Sequence, residues 1–189
     1  MGRRWFFGAI GSFARDRRGV AATEFMLIAP LLFLVLIGSF SIFDWLRAGY
    51  VTERATFTVG DLMSRQTERD DATLGRIKET FFRLAVNDVD DPELRIMSVL
   101  RTEKGFEIGW TYNSKMGALA SQPLPIDLLP DIALDDSVIL TQTIVRIVPT
   151  FSFLFDALDW DRSEAGYVLE LQYAAATRPR FVRRIAQAQ

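Results

Sequence analysis

The sequence predicts an α+β protein with a long N-terminal helix and a small C-terminal domain. Three observations predict this class. Residues 25–43 form one uncharged apolar run, residues 67–86 carry apolar side chains at helical spacing, and three later stretches are β-like, two of them with alternating apolar residues. We therefore divide the chain into a basic leader (1–19), a long helix (20–66), and a domain (67–189) with one amphipathic helix and about four antiparallel strands.

The apolar run holds nineteen residues between Glu24 and Asp44. At about 1.5 Å per residue a helix of that length covers roughly 28 Å, close to the ~30 Å hydrocarbon core of a bilayer. Only a helix satisfies its own backbone polar groups in lipid, so the run is predicted to be a transmembrane helix, kinked or loosened at Pro30. A secretory signal peptide is the weaker alternative, because the run is long and the bulky residues after it make a poor cleavage site.

Arginine is distributed unevenly about this run. Residues 1–19 hold five arginines, whereas residues 46–60 hold only Arg47 and Arg54. Because the Arg-rich side of a membrane segment stays cytoplasmic, we expect the C-terminal domain to lie in the periplasm of a Gram-negative cell, with the chain crossing the inner membrane once. The leader itself is expected to be either a short interfacial helix or a disordered basic segment.

The amino-acid composition argues against several classes of function. The chain carries a net charge of −2 and its dense basic cluster after the leader is confined to the last dozen residues, so we expect no nucleic-acid partner. It contains no histidine, which removes His-based metal sites and Ser-His-Asp hydrolysis. It contains no cysteine either, which leaves the redox compartment open. We expect neither enzymatic activity nor a cofactor.

The domain is predicted element by element. An amphipathic helix at 67–86 ends at an acidic break, 87–93, and a β-hairpin with one buried face follows at 94–112, turning at 103–105. A proline-punctuated loop, 113–135, leads to a central strand at 138–148, rich in β-branched residues, that ends at Pro149. An apolar knot (151–155) and an acidic loop (156–164) precede a last strand, whose apolar residues alternate from 167 to 173.

Three glycines, Gly38, Gly49 and Gly60, are spaced eleven residues apart. That repeat, about 3.67 residues per turn, keeps them on one face of a helix, where small residues allow a neighbouring helix to approach closely. Chance recurrence is the alternative explanation.

Two acidic clusters and a basic tail complete the candidate features. The clusters, 88–93 and 156–164, lack the glycine-containing spacing of an EF-hand loop, so solvated turns are favoured over Ca²⁺ sites and no metal ligand is assigned. The tail arginines are expected to be solvated, with an acidic partner or lipid headgroups as the alternative. They are Arg178, Arg180, Arg183 and Arg184.

The stretch RRGVAATEF (17–25), followed by an apolar helix, resembles the processing motif of type IV pilin-like precursors. With FMLIAPLL (25–32) it is more narrowly similar to the TadE-like proteins of tight-adherence (Flp) pilus systems, over residues 17–66. The resemblance implies that a prepilin peptidase cuts between Gly19 and Val20. It makes Glu24 the fifth mature residue, which sets subunit register, with Phe25 after it. It also implies other pilin-like subunits and assembly proteins as partners.

Physical chemistry supports the same interpretation. A carboxylate at the edge of a membrane helix costs a few kcal/mol unless it is paired or near water. Cleavage after Gly19 exposes an amine on Val20 that is positively charged near neutral pH and can pair with Glu24 of a neighbouring subunit. Gly19 leaves room for a protease to hold the backbone extended. The plainer alternative is that Glu24 is a headgroup-level residue favoured by the helix dipole.

Two other functions compete. In the first, the chain remains uncleaved as a single-pass inner-membrane scaffold of a secretion or pilus complex. Alternatively, it is a membrane-tethered, acid-dependent hydrolase, which needs two carboxylates within roughly 5–10 Å at the mouth of a pocket.

Overall fold

The computed structural model describes residues 18–85, 89–148 and 168–187. The chain separates into two compact units, Met1–Ile42 and Phe43–Gln189. In the first unit every described residue is helical, and the second is an α+β domain built on a four-stranded antiparallel sheet. The predicted class is therefore confirmed as an α+β chain with a long apolar N-terminal helix.

The first helix, α1, comprises Arg18–Ser64 and is uninterrupted at Pro30. It ends two residues before the predicted residue 66, where the backbone N–H of Gln66 donates to the carbonyl of Met63. In the second unit one side of α1 is buried against the sheet, because Ala55, Val59 and Met63 recur every four residues and so share one helix face.

The second helix, α2, comprises Asp71–Leu84 and is the predicted amphipathic helix. Its buried side consists of Leu74, Ile77 and Phe81. It starts later than predicted, because residues Glu68–Arg69 form a short strand, β1, and Asp70 caps the helix by accepting a hydrogen bond from the backbone N–H of Thr73.

Four antiparallel strands form the sheet in the order β3-β2-β4-β5. The central strand β4 is buried along nearly its whole length, as its β-branched composition predicts. The β2–β3 hairpin turns at Gly105, whose φ of +125° suits glycine. The strands are β2 (Val89–Thr102), β3 (Gly105–Asn113), β4 (Ser137–Ile147) and β5 (Leu169–Thr177). A two-residue strand, β6 (Ala186–Gln187), pairs in parallel with β1.

The central strands β2 and β4 are buried on both faces, whereas the edge strands β3 and β5 are partly exposed, so the prediction of one buried face was wrong for the β2 strand of the hairpin. The helix-side face packs against α1 and α2. The opposite face is covered by the connection at 113–135, which contributes Leu124, Leu129 and Ile132 to a second core. That connection was predicted to be a plain loop, yet it contains a one-turn helix, α3 (Ala118–Ser121), and a 3-10 turn (Ile126–Leu128).

The prediction that apolar residues alternate strictly along β3 was also wrong. Ser98 pairs with Trp110 while Val99 pairs with Ile108, so Gly109 is an extra residue in β3. A bulge of this kind shifts the alternation by one. As a result Phe106 packs in the second core, whereas Trp110 packs on the helix side.

The acidic break at 87–93 is shorter than predicted, because β2 already begins at Val89. The pairing of β2 with β4 is irregular between Asp90 and Glu93, which accommodates Pro92 and its missing N–H. The predicted knot at 151–155 and acidic loop at 156–164 lie outside the described residues, as does residue 167.

The C-terminal segment is packed through its apolar residues, while its arginine side chains are exposed as predicted. Ile185 is buried, and its carbonyl accepts a hydrogen bond of 2.9 Å from the indole N–H of Trp110. The arginine side chains of this segment are exposed, and Arg180 pairs with Asp61 at the end of α1.

Candidate functional site

The predicted processing site lies in the first turn of α1. Gly19 and Val20 are exposed, and a side chain added at Gly19 would meet no atom within 4 Å. The hydroxyl of Thr23 donates to the carbonyl of Val20 at 2.8 Å. The predicted scissile bond is therefore helical, and a protease that needs extended backbone would have to unwind this turn.

Glu24 and Phe25 follow on the next turn, both exposed. Beyond them, large apolar side chains lie uncovered on every side of α1 as far as Phe43, with Leu27 80% exposed. Among the described residues, α1 is the one helix whose length and apolar composition suffice to cross a membrane. A soluble helix ordinarily has one polar face, which this stretch lacks.

The three spaced glycines have different surroundings. No atom lies within 4 Å of a side chain added at Gly38. Gly49 and Gly60 are buried against the chain's own sheet, where a Cβ would lie 2.8 Å from the Tyr173 hydroxyl and 2.9 Å from Thr177 Oγ1, respectively. We call this contact of α1 with β4 and β5 the helix–sheet seam.

Polar groups are paired inside the seam as well. The hydroxyls of Thr56 and Thr143 are 2.7 Å apart, and Thr56 also donates to the carbonyl of Thr52. Because Gly49 has no side chain, the phenol of Tyr173 can pack against the helix backbone at this position. Burial, followed by the negative charge of Glu53, raises the pKa of Tyr173.

A buried carboxylate that the sequence did not single out lies on the other face of the sheet. The side chain of Glu93 is only 4% exposed. One of its oxygens accepts a hydrogen bond from the backbone N–H of Leu119 at 3.0 Å, and the other lies 3.5 Å from the guanidinium of Arg146. The ammonium of Lys115 lies 3.7 Å from the same oxygen.

These partners stabilise the charged form of Glu93. Burial by itself raises the pKa of the carboxyl, but the backbone N–H groups of Leu119 and Ala118 and the charges of Lys115 and Arg146 outweigh it. The net result is that the pKa of Glu93 is lowered from 4.5. A side chain at Gly117 would collide with this carboxylate, so glycine is required there.

Arg95 lies on the same face of the sheet as Glu93 and contacts the same connection. Its guanidinium donates to the carbonyls of Leu119 and Gln122, each at 2.8 Å. Glu93 and Arg95 thus hold the two ends of α3 against the sheet. The signal in the sequence was that these two residues alternate in phase with Met97 and Val99, which marks a second buried face.

A cleft of about 580 Å³ lies between the β2–β3 hairpin and the C-terminal segment. Leu100 and Trp110 contribute apolar surface, and charged residues of both signs line the rest. The charged residues are Arg101, Glu107, Asp135 and Arg184. In the described ranges no three carboxylates come together as a metal site would require.

The described chain is thus an α+β domain that follows a long, uncovered apolar helix. Comparison with protein-family models, with curated proteins and with solved structures finds no match.

Gly60→Val should weaken the domain. A branched side chain at this position would overlap Thr177 and Thr141, and overpacking of this kind costs about 1–3 kcal/mol of unfolding free energy. Gly75→Val is the matched control, because Gly75 is exposed within α2 with no atom within 4 Å, and there we expect a change of no more than about 0.5 kcal/mol. Urea unfolding of the detergent-solubilised chain measures both, and equal effects would contradict the close contact.

Glu93→Gln should also destabilise the domain. Loss of the charge weakens the hydrogen bond from Leu119 and leaves Arg146 less well compensated, which we expect to cost about 1.5–3 kcal/mol. Glu79→Gln, which disrupts an exposed pair with Arg83, should cost no more than about 0.5 kcal/mol. The same urea titrations at neutral pH compare the two, and a Glu93 variant as stable as its control would refute the assigned role.

The pH dependence follows from the lowered pKa of Glu93. Its stabilising contribution is complete above its unfolded-state value of 4.5 and is lost as the pH falls through the lower pKa of the folded state. The melting temperature of the wild type should therefore fall more steeply than that of Glu93→Gln below about pH 4.5. Melting temperatures that fall equally steeply with decreasing pH in the two proteins would contradict this.

Proposed function

We propose that this chain is a pilin-like minor subunit or assembly protein of a tight-adherence (Flp, type IV-like) pilus. In this proposal a prepilin peptidase cleaves it between Gly19 and Val20. The protein is thus the substrate of an enzyme and not itself an enzyme. Its membrane segment associates with other pilin-like subunits and pilus assembly proteins.

One observation carries the proposal. Glu24 directly precedes nineteen uncharged residues, and their side chains have no protein cover within the described chain. A carboxylate at that position needs a cation or water. The amine that cleavage would create on Val20 supplies such a cation in the neighbouring subunit, and their pairing fixes the axial register of adjacent helices.

Charge distribution supports the orientation. The leader carries five arginines and one aspartate, and the positive-inside rule keeps that side cytoplasmic. The proposed location is the bacterial inner membrane, crossed once, with residues 67–189 in the periplasm. In this arrangement the peptidase meets Gly19 at the cytoplasmic face, and Gly38 is the one glycine of the three left to contact another helix in lipid.

A second candidate is an uncleaved single-pass scaffold of a secretion or pilus complex. The helical conformation of the Gly19–Val20 bond favours it, because α1 already includes the bond that the peptidase would have to extend. In this alternative Glu24 is a headgroup-level residue, and the arginines before it anchor the helix to anionic lipid.

The first test is the N-terminus of the protein extracted from membranes of cells that have an active maturation peptidase. A mature chain that begins at Val20 is the expected result, and intact-mass measurement or N-terminal sequencing reports it. An intact leader in such cells would support the scaffold instead.

Two substitutions separate processing from assembly. Gly19→Arg should block cleavage, because the bulky cation fills the space that the protease needs around the scissile bond. Glu24→Ala should be cleaved normally but should reduce assembled pili, because the amine on Val20 loses its partner.

Glu79→Ala, which removes an exposed carboxylate of α2, is the control and should leave both readouts at wild-type levels. Cleavage is scored by the mass of the chain, and assembly by pili sheared from cells. Wild-type pilus levels in Glu24→Ala would rule out the register role.

A further inference from the structure

Two surface segments of the second unit lie side by side where β4 begins and β5 ends. The guanidinium of Arg178 donates to the carbonyl of Asp131 at 2.9 Å. The carbonyl of Arg183 accepts hydrogen bonds from the hydroxyl and the backbone N–H of Ser137, at 2.7 and 3.2 Å. The connection before β4 and the segment after β5 are therefore held next to each other.

This end of the sheet is opposite the end that borders residues 149–167. Ile139 pairs with Thr177 here, whereas Ile147 pairs with Leu169 at the other end. The strand from Leu169 to Thr177 covers about 27 Å at 3.4 Å per residue. The two surface segments are thus separated by the length of β5 from the point where the described chain breaks off.

The connection before β4 carries acidic and apolar side chains on its outer side. Its exposed aspartates are Asp127, Asp131 and Asp135. Three of its apolar side chains are 54–58% exposed, in contrast to those that pack in the second core. They are Ile126, Leu128 and Leu134.

The segment after β5 carries the opposite charge. Its exposed residues include Arg178, Arg183 and Arg184, and Phe181 among them is 70% exposed. Within the part of the chain that the structure describes, neither these three arginines nor the three aspartates of the connection take part in an ion pair. Charges of both signs on adjacent segments are therefore available to a partner.

We call these adjoining segments the two-charge surface. Its acidic half comprises Asp127, Asp131, Leu134 and Asp135, and its basic half comprises Arg178, Phe181, Arg183 and Arg184. We propose that this surface binds the same surface of a second copy of the chain, related to the first by a two-fold axis. In such an interface each residue contacts a different residue of the partner, and the contact occurs twice. An acidic half beside a basic half is therefore complementary to itself.

Charge complementarity favours a second copy over a partner with charges of one sign. A uniformly acidic or basic partner would attract one half of the surface and repel the other, which disfavours its binding. Exposed Leu134 and Phe181 add apolar area whose removal from water is favourable. Because every residue involved belongs to the second unit, the contact depends neither on the membrane span nor on cleavage after Gly19.

Two charge-reversal variants of the full chain test the contact. Asp127→Lys with Asp131→Lys makes the acidic half basic, and Arg183→Glu with Arg184→Glu makes the basic half acidic. Asp135 is kept because its φ of +65° is one that aspartate tolerates, and Arg178 is kept because it bonds to the connection.

Association is measured by co-purification of two differently tagged copies in detergent at low ionic strength. Wild-type copies should co-purify, and each reversal variant should co-purify with itself about tenfold less, because like charges then meet. The two reversal variants mixed with each other should recover the wild-type level, because each supplies the charge that the other has lost. Recovery also shows that both variants are folded.

The matched control reverses two exposed acids of α2, Asp71→Lys with Glu79→Lys, and should co-purify with itself as the wild type does. If the reversal variants of the two-charge surface also co-purify with themselves at the wild-type level, the copies associate elsewhere and the contact is refuted. Wild-type copies that do not co-purify, or a mixture of reversal variants that shows no recovery, would refute it as well.

Cysteine cross-linking locates the contact, because the chain has no native cysteine. A short bismaleimide should join Leu134→Cys in one copy to Phe181→Cys in another, since the acidic half of one copy meets the basic half of its partner. Glu79→Cys mixed with Phe181→Cys is the control pair and should give a lower yield. Equal yields for the two pairs would contradict the proposed pairing of the halves.

Discussion

The seam between α1 and the sheet is the contact on which the rest of the domain depends. Two positions on the helix, Gly49 and Gly60, have no side chain, which lets the helix approach β4 and β5 closely enough for threonine hydroxyls to meet across the gap. The apolar side chains of Val59 and Ala55, which lie between these glycines, are consequently fully buried. A bulkier helix surface would separate the layers and break the hydrogen bond between Thr56 and Thr143, although Thr56 would keep its hydrogen bond to the carbonyl of Thr52.

The second side of the sheet is organised differently. There the covering layer is a connection with a single turn of helix, too short to hold itself in place by packing alone. Its polar backbone groups are instead bonded by two charged side chains of β2, Glu93 and Arg95. Charged groups buried in this way are stable because both are hydrogen-bonded, and they specify where the connection lies more narrowly than apolar contacts would.

The elements with strong periodicity were predictable from sequence. Helix α2 followed from Leu74, Ile77 and Phe81 at helical spacing, and the central position of β4 followed from its unbroken β-branched run. The features that could not be predicted from the sequence depend on contacts between distant residues. The bulge at Gly109 is decided by the pairing of β3 with β2, and the burial of Glu93 is decided by a loop more than twenty residues later. The candidate site differs, because Gly19, Val20 and Glu24 are exposed among the described residues, so the prediction of these residues rests on the sequence and the coordinates add little to it.

Gly49 lies opposite Tyr173 and Gly60 lies opposite Thr177, so α1 and β5 run in the same direction, and this has a mechanical consequence. Tension applied at Phe43 along the axis of α1 would act along the seam and not across it. The Thr56–Thr143 hydrogen bond and the packed side chains on either side of it would then bear the load together and not one after another. Resistance of that kind is governed by the rate of unfolding, so a small surface of contact can hold for long periods under modest force.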